Sequence, residues 1–367
     1  MLLGCSILDR TPPTIDLSLP TGPVRAKLTI SPVVFDEAPG VGLVDVFLDD
    51  EFVAGTGTVW NVDTTKLSDG PHAVRVSAQD TARAANGSKW EGTFISDNTA
   101  PVVLAEPASA KQGQTLVVWA TINEPVRHPM AAFSDRRVPL FEVGDRWRAL
   151  IGMDLREELG VRKLVIEAVD DAGNSALAEI AITVVKGDFT SGGTIRLSGD
   201  QIEARKDEKA KAKTREERES AYAHLEPKQL WTEAFQVPIA ARVTSPYGSY
   251  RTYSDGKKSY HSGMDLAKSK GSPIGSAASG KVLVAGWQAI FGNVVIVHHG
   301  QGVTTSYNHL DEVKVSVGDT VSRGDIVGLL GNTGQSTGPH LHWGVTVAGK
   351  AVDPAQWLDP DFWKQIE

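Results

Sequence analysis

Tyr260-His-Ser-Gly-Met-Asp265, read together with Pro339-His-Leu-His-Trp343, decides how the C-terminal part of this chain folds. Four strong metal-ligand side chains fall there in two tight groups, His261 with Asp265 and His340 with His342. Residues two apart in a strand share a face. His340 and His342 are therefore expected to face one site while Leu341 turns into the core. His261 and Asp265 are four apart, a spacing that would also fit one face of a helix. Gly263 between them weakens a helix, so the group reads as a strand end or tight loop. An isolated histidine is usually an ordinary core or surface residue. Two close groups inside one Gly-rich β segment point instead to a metal centre. A zinc hydrolase needs three protein ligands and an open position. Two ligands from the first group and one from the second would supply them, leaving a histidine beside the metal for proton handling.

Outward from these groups the chain reads as antiparallel β structure. Lys281-Val-Leu-Val-Ala, Asn293-Val-Val-Ile-Val and Gly302-Val-Thr-Thr-Ser-Tyr are short β-branched runs separated by Gly and polar turns. Ser316-Val-Gly-Asp-Thr-Val-Ser-Arg-Gly-Asp-Ile-Val-Gly also looks like the half-barrel of a lipoyl or biotinyl carrier. Such a carrier needs a lysine at a hairpin tip, typically beside methionine, and this segment has no suitable Met-Lys or Asp-Lys pair.

An ordered set of motifs runs from Arg242 to Trp357. It comprises Thr244-Ser-Pro-Tyr-Gly, Tyr260-His-Ser-Gly-Met-Asp-Leu-Ala, Gly292-Asn-Val-Val-Ile-Val-His-His-Gly, Tyr307-Asn-His-Leu, Val317-Gly-Asp-Thr-Val, Gly331-Asn-Thr-Gly, Thr337-Gly-Pro-His-Leu-His-Trp and Asp353-Pro. The segment resembles a lysostaphin-type (LytM-like) zinc metallopeptidase domain, a family that cuts peptide bonds in bacterial peptidoglycan. The resemblance implies His261, Asp265 and His342 as ligands of one zinc per chain, and His309 and His340 as the catalytic pair. Two departures occur, Asn308 where the family often has Ala and His298 where it often has Asp, and neither is expected to touch an implied ligand. His299 also matches a family position, and a structural role is expected for it. The resemblance permits both a D-Ala to diaminopimelate crosslink and a pentaglycine bridge as substrate. The acidic balance of the chain favours the first, because attackers of thick anionic walls gain encounter rate from positive charge. Groove loops Arg251–Tyr260 and Trp287–Phe291 would have to discriminate between them.

The remaining sequence bounds the setting. Net charge is −8, with 41% hydrophobic and 22% charged residues, which suits a globular protein and speaks against nucleic acid as a partner. Cys5 is the single cysteine, so a disulfide framework is excluded. Leu2-Leu-Gly-Cys resembles the end of a bacterial lipoprotein signal, which would lipidate Cys5 and anchor the chain to a membrane. An extracytoplasmic place in the periplasm or cell envelope follows from that and from the implied substrate.

Thr11-Pro-Pro-Thr-Ile and Thr99-Ala-Pro-Val-Val open two units of similar pattern, each with a later alternating run ending in Asp. Two Ig-like sandwiches are expected, over 11–97 and 98–186. Val44-Asp-Val-Phe-Leu-Asp-Asp-Glu-Phe-Val should be a hairpin turning at the Asp pair. His72 and His128 are expected at the surface, and the acidic residues Asp80 and Asp170 do not fall at the spacing of a calcium loop. Residues 187–235 read as a linker: a turn-rich start, then a charged helix from Gln201 to Leu225 stopped by Pro227. Seven basic and six acidic residues between Glu203 and Glu219 nearly cancel. With little apolar face before Tyr222 the helix should be solvated, a spacer or else a cover over the groove. Leu230-Trp-Thr-Glu-Ala-Phe should dock on the C-terminal domain.

The expected protein is thus mostly β: a lipoprotein-like segment (1–10), two Ig-like modules, a helical linker and a C-terminal peptidase domain (236–367) acting on peptidoglycan peptide stems. Its Ig-like modules could meet other envelope proteins. Two other readings compete: a non-catalytic envelope protein that binds the wall or activates a separate amidase, and an adhesion protein led by the Ig-like half. The first usually loses ligands and the second would show no metal dependence.

Overall fold

The computed structural model describes residues 10–37, 40–55, 59–83, 85–196, 198–199, 202 and 207–367. Leu2-Leu-Gly-Cys5 and most of the stretch from 200 to 206 lie outside the described residues. The chain is mostly β, as expected. It divides into two compact units. The first holds the chain up to Val103 with Ile122–Pro129 and Glu167–Leu177, and the second holds Leu104–Thr121, Met130–Ile166 and Ala178–Glu367.

In the first unit a four-stranded antiparallel sheet orders Glu51–Gly55, Val41–Leu48, Gly70–Asp80 and Gly87–Ser96. Along Gly70–Asp80 buried positions alternate with more open ones, the period a half-buried strand requires. Leu28, Ile30, Trp60 and Val62 of a smaller strand pair share one core with Val44, Val46, Val74, Val76 and Phe94. The expected hairpin turns at Asp49-Asp50, both left-handed at φ 50° and 65°, the backbone of a type I′ turn. The Asp49 carboxylate accepts the Ala73 amide and meets the His72 ring at 2.6 Å. His72 is therefore buried and paired, not at the surface: burial of its ring was offset by two polar partners, Asp49 and the Ser68 carbonyl. His128 is exposed, as expected.

The second unit contains the C-terminal sheet and most of two further sheets. One orders Ala108–Lys111, Ser175–Val185, Gly160–Val169, Met130–Phe133 and Arg136–Pro139, the other Phe141–Val143, Arg146–Gly152, Thr115–Ile122 and Val103–Ala105. The C-terminal sheet has ten strands. Its main path runs Arg242–Ser245, Met264–Ala267, Leu341–Val347, Val303–Val313, Gly292–Gly300, Gly280–Gln288 and Thr320–Val321. The strand pairs along this path are antiparallel. Val295, Val297, Tyr307, Leu310, Leu341, Trp343 and Val345 fill its core together with Trp231 and Phe235, so the expected docking of the Leu230–Phe235 segment holds.

Two expectations for the linker need correction. The helix spans Glu208–Tyr222, capped by Asp207 accepting from Ala210, and it ends before Pro227. It is not a solvated rod: Thr214 and Ala221 are buried, and Arg218 reaches inward to the sheet. The turn-rich start is not a free connector either, because Ser191–Ile195 forms a strand parallel to Tyr250–Tyr253, which continues antiparallel to Lys258–Tyr260.

Candidate metal centre

Cross-strand register brings the two sequence groups together. Asp265 lies directly opposite His342 across the antiparallel pair of Met264–Ala267 with Leu341–Val347. His261 precedes that first strand, in the loop after Lys258–Tyr260. Gly263 makes the approach possible, since a Cβ there would stand 2.5 Å from the Trp343 carbonyl and 2.8 Å from the His342 ring. His261, Asp265 and His342 are all buried, and one ligand atom from each lies within 4.8 Å of the others. His261 Nε2 is 2.8 Å from His342 Nδ1 and 2.9 Å from Asp265 Oδ1, and His342 Nδ1 is 3.0 Å from that same oxygen.

Two of the three ligands, His261 and Asp265, are fixed by a partner outside the triad, the arrangement that sets tautomer and orientation around a metal. His261 Nδ1 lies 3.0 Å from the Pro246 carbonyl, so it donates there and turns the lone pair of Nε2 inward. Asp265 Oδ2 accepts from Arg251 Nη2 at 2.6 Å, and that same nitrogen bonds Ser245 Oγ at 2.6 Å. Only Oδ1 then remains for the centre. Burial alone would raise the Asp265 carboxyl, but the hydrogen bonds and charge of His261 and His342 hold it far below the usual range. Burial pushes His342 down to about 4. Two imidazoles and one carboxylate facing a common point are the donor set of a cation with nitrogen and oxygen ligands, and zinc fits it.

His309 and His340 stand beside this triad. Their rings are 5.0 Å apart between centroids, and His309 is 6.2 Å from the His342 ring. His340 Nε2 lies 3.7 Å from Asp265 Oδ1 while its Nδ1 is held by the Gly338 carbonyl at 2.8 Å. His309 Nδ1 meets the Thr333 carbonyl at 2.8 Å. Both rings therefore donate from Nδ1, which leaves Nε2 of each clear of those carbonyls. Burial, reinforced by His340 and His342, pushes His309 down to about 3, so it is neutral at pH 7. His309 also has φ 62°, a left-handed backbone that costs a non-glycine residue roughly 1–2 kcal/mol. Its amide bonds the Phe291 carbonyl at 2.8 Å, which holds that conformation. As expected, Leu341 is fully buried between the two histidines of its motif.

A cleft of about 650 Å³ opens over these residues. Tyr260 and Arg251 line it on one side, Ile290 and Phe291 on another, and Ser191 and Ile195 of the linker strand also reach it. Arg251 and the linker strand escaped the sequence reading. Arg251 could have been suspected from its place at the head of the Arg251–Tyr260 loop, whereas the Gly-Ser composition of 191–193 signals only a turn. His299 has the structural role expected of it, its ring held between the Ser279 carbonyl and Thr305 Oγ1. In the first unit Asp97, Glu124 and Asp170 also bring carboxylates together, with Asn174 bonded to Asp170.

Residues 259–354 match the model of Peptidase family M23. The DD-carboxypeptidase/endopeptidase Mpg of Neisseria meningitidis is 36% identical over 117 residues, which cover 32% of this chain and 27% of that protein. The peptidoglycan DD-endopeptidase ShyA of Vibrio cholerae is 35% identical over 122 residues, covering 33% of this chain and 28% of that protein. The chain thus spans little more than a quarter of the length of these curated relatives. A crystal structure from Pseudomonas aeruginosa described as an M23 peptidase superposes with a TM-score of 0.52 at 28% identity, over 67% of this chain and 93% of that one. The C-terminal part of the chain carries a LytM-like M23 peptidase domain.

Proposed function

We propose that this M23 domain is a zinc endopeptidase that hydrolyses peptide crosslinks of bacterial peptidoglycan, the D-Ala to diaminopimelate bond in particular. The observation that carries the proposal is the convergence of His261, Asp265 and His342 with two further histidines, His309 and His340, on one cleft. His261, Asp265 and His342 would hold the metal. Zinc supplies Lewis acidity toward a carbonyl oxygen and acidifies water near neutral pH when bound. The protein residues do the rest. Nε2 of His309 or His340 accepts a proton from the attacking water, and the resulting imidazolium returns it to the leaving amine. The buried setting of His309 disfavours its charged form, which drives that proton on to the amine. Arg251 holds Oδ2 of Asp265 and so aims Oδ1 at the centre.

A non-catalytic regulator would not need this arrangement, since all five residues are present with their hydrogen-bond supports. Substrate choice draws on ShyA and Mpg, whose names give them DD-endopeptidase activity. Lipidation at Cys5, an envelope location and Ig-like modules that meet other envelope proteins complete the reading. Incubation with crosslinked diaminopimelate muropeptide dimers and, separately, with pentaglycine tests it. Release of monomers from the first is expected. Cleavage of pentaglycine alone would overturn the substrate, and cleavage of neither, in zinc-replete protein, would overturn the enzyme.

A further inference from the structure

The linker helix sends one side chain toward the residues that support His309. Arg218 Nη1 donates to Gln288 Oε1 at 3.0 Å and to Asn308 Oδ1 at 3.1 Å, and Nη2 donates to Tyr222 Oη at 2.6 Å. Its guanidinium lies 3.9 Å above the Phe291 ring. Gln288 is buried and is gripped from the same helix a second time, by Glu217 at 3.0 Å. Asn308 is fully buried. Its amide donates to the carbonyl of His342 at 3.0 Å and to Ser306 Oγ at 3.3 Å, which leaves Oδ1 in need of a donor. Arg218 is that donor.

Three of these partners, Asn308, Phe291 and Gln288, border the catalytic wall. Asn308 precedes His309 and, contrary to the expectation that it touches no ligand residue, pairs with His342 across the sheet and bonds its carbonyl. The Phe291 carbonyl accepts the His309 amide and so holds the left-handed turn, while the Phe291 ring lines the cleft. Gln288 ends the strand that leads into Phe291. A planar cation stacked on an aromatic face and forked onto two amide oxygens immobilises all three groups at once. We propose that Arg218 is a positioning residue for His309: the linker helix is neither spacer nor cover but a brace that fixes the geometry of the catalytic wall, rigidifying Phe291 and Asn308 from behind. This rests on the peptidase reading above only where a rate is measured.

The test uses the full chain loaded with zinc. Arg218→Ala should lower kcat on crosslinked muropeptide dimers by roughly tenfold or more, the scale on which remote misplacement of a reacting group acts. KM should change less than about threefold and zinc content should stay at the wild-type value. Arg218→Met keeps an unbranched side chain of similar length and serves if the alanine variant folds poorly, and it should show the same split. Arg215→Ala, on the exposed side of the helix, controls for loss of helix stability and should leave kcat unchanged. In Asn308→Ala the acceptor is gone, so adding Arg218→Met should cost less than it does in the wild type. A second readout needs no activity: ¹⁵N shifts of the His309 ring should report one Nδ1-protonated tautomer in the wild type and an averaged or broadened signal in both Arg218 variants. Unchanged kcat with an unchanged His309 signal overturns the proposal, as does an equal loss in Arg215→Ala. An inactive wild type would defeat the peptidase reading and leave the ring signal to judge Arg218.

Discussion

Asp265 divides its two oxygens between different partners, Oδ2 to Arg251 and Oδ1 to the two ligand histidines. That division makes the residue a one-oxygen ligand and makes Arg251 part of the metal centre at one remove. Arg251→Met should weaken zinc binding by about 10–100-fold, the usual cost of losing such a support. Competition with a fluorescent zinc chelator reads this directly, and an affinity equal to wild type would show Arg251 to be incidental. The five site residues should separate into two classes. His261→Ala and Asp265→Ala remove a donor and should lose zinc and activity together. His309→Ala and His340→Ala leave the triad intact, so they should keep zinc and lose roughly 10²-fold or more in rate. Metal analysis beside single-turnover cleavage checks both classes. Zinc retained in both ligand variants, or wild-type cleavage by either histidine variant, would break the assignment.

Strands and turns were the legible elements, because their signals are periodic. Leu341 inward beside His342 and the turn at Asp49-Asp50 follow from strand alternation and turn chemistry, while His340 stands one residue before the strand. The linker helix departs from the solvated rod that its sequence predicts, for a physical reason. Its inward face is made of Thr214, Arg218, Ala221 and Tyr222, a mostly small or polar set that hydrophobic periodicity cannot see. The strand Ser191–Ile195 is held by backbone pairing with Tyr250–Tyr253 and needs no apolar pattern. His72 was misplaced because its partner Asp49 is distant in sequence. The strand Gly292–Gly300 carries a further consequence. His298 is buried with Nε2 unpartnered and the His224 ring edge-on at 4.5 Å, and His299 is fully buried. Burial pushes both down to about 4. Below the unfolded value of about 6.5 the unfolded chain takes up protons that the folded one refuses. Stability is therefore complete above pH 6.5 and drains as pH falls toward about 4. Urea midpoints between pH 7 and 4.5 should fall accordingly, and His298→Phe should flatten the fall. Equal slopes in the two proteins would remove His298 from this account.

Within the second compact unit the Arg146–Gly152 and Thr115–Ile122 strands are tied to the C-terminal segments through polar contacts. Arg148 is buried, and its guanidinium bonds the Ile366 carbonyl, Gln301 Oε1 and, at 2.8 Å, Gln229 Oε1. Burial lowers it to about 10, which still leaves it charged at pH 7. Thr115 and Gln356 exchange two hydrogen bonds, of 2.7 and 3.0 Å, and the Trp357 indole donates to Thr115 Oγ1 at 3.1 Å. Removing a buried donor strands its acceptors, so Arg148→Ala should cost about 2–4 kcal/mol. Truncation should then separate two contributions. A chain beginning at Gly187 keeps the linker strand and helix but loses Arg148 and Thr115. It should unfold at a lower urea concentration than the full chain while cleaving peptides at a similar rate. A chain beginning at Gln236 also loses Arg218 and the buried Trp231, together with the Ser191–Ile195 edge of the cleft. It should be weaker still and slower by at least the factor lost in Arg218→Ala. Read as a spacer, the linker predicts equal rates for the two truncated chains, and read as a cover it predicts a faster shorter chain. Steady-state kinetics on both, at a temperature where each is folded by circular dichroism, decides among the three, and only a slower chain from Gln236 agrees with a helix that braces His309.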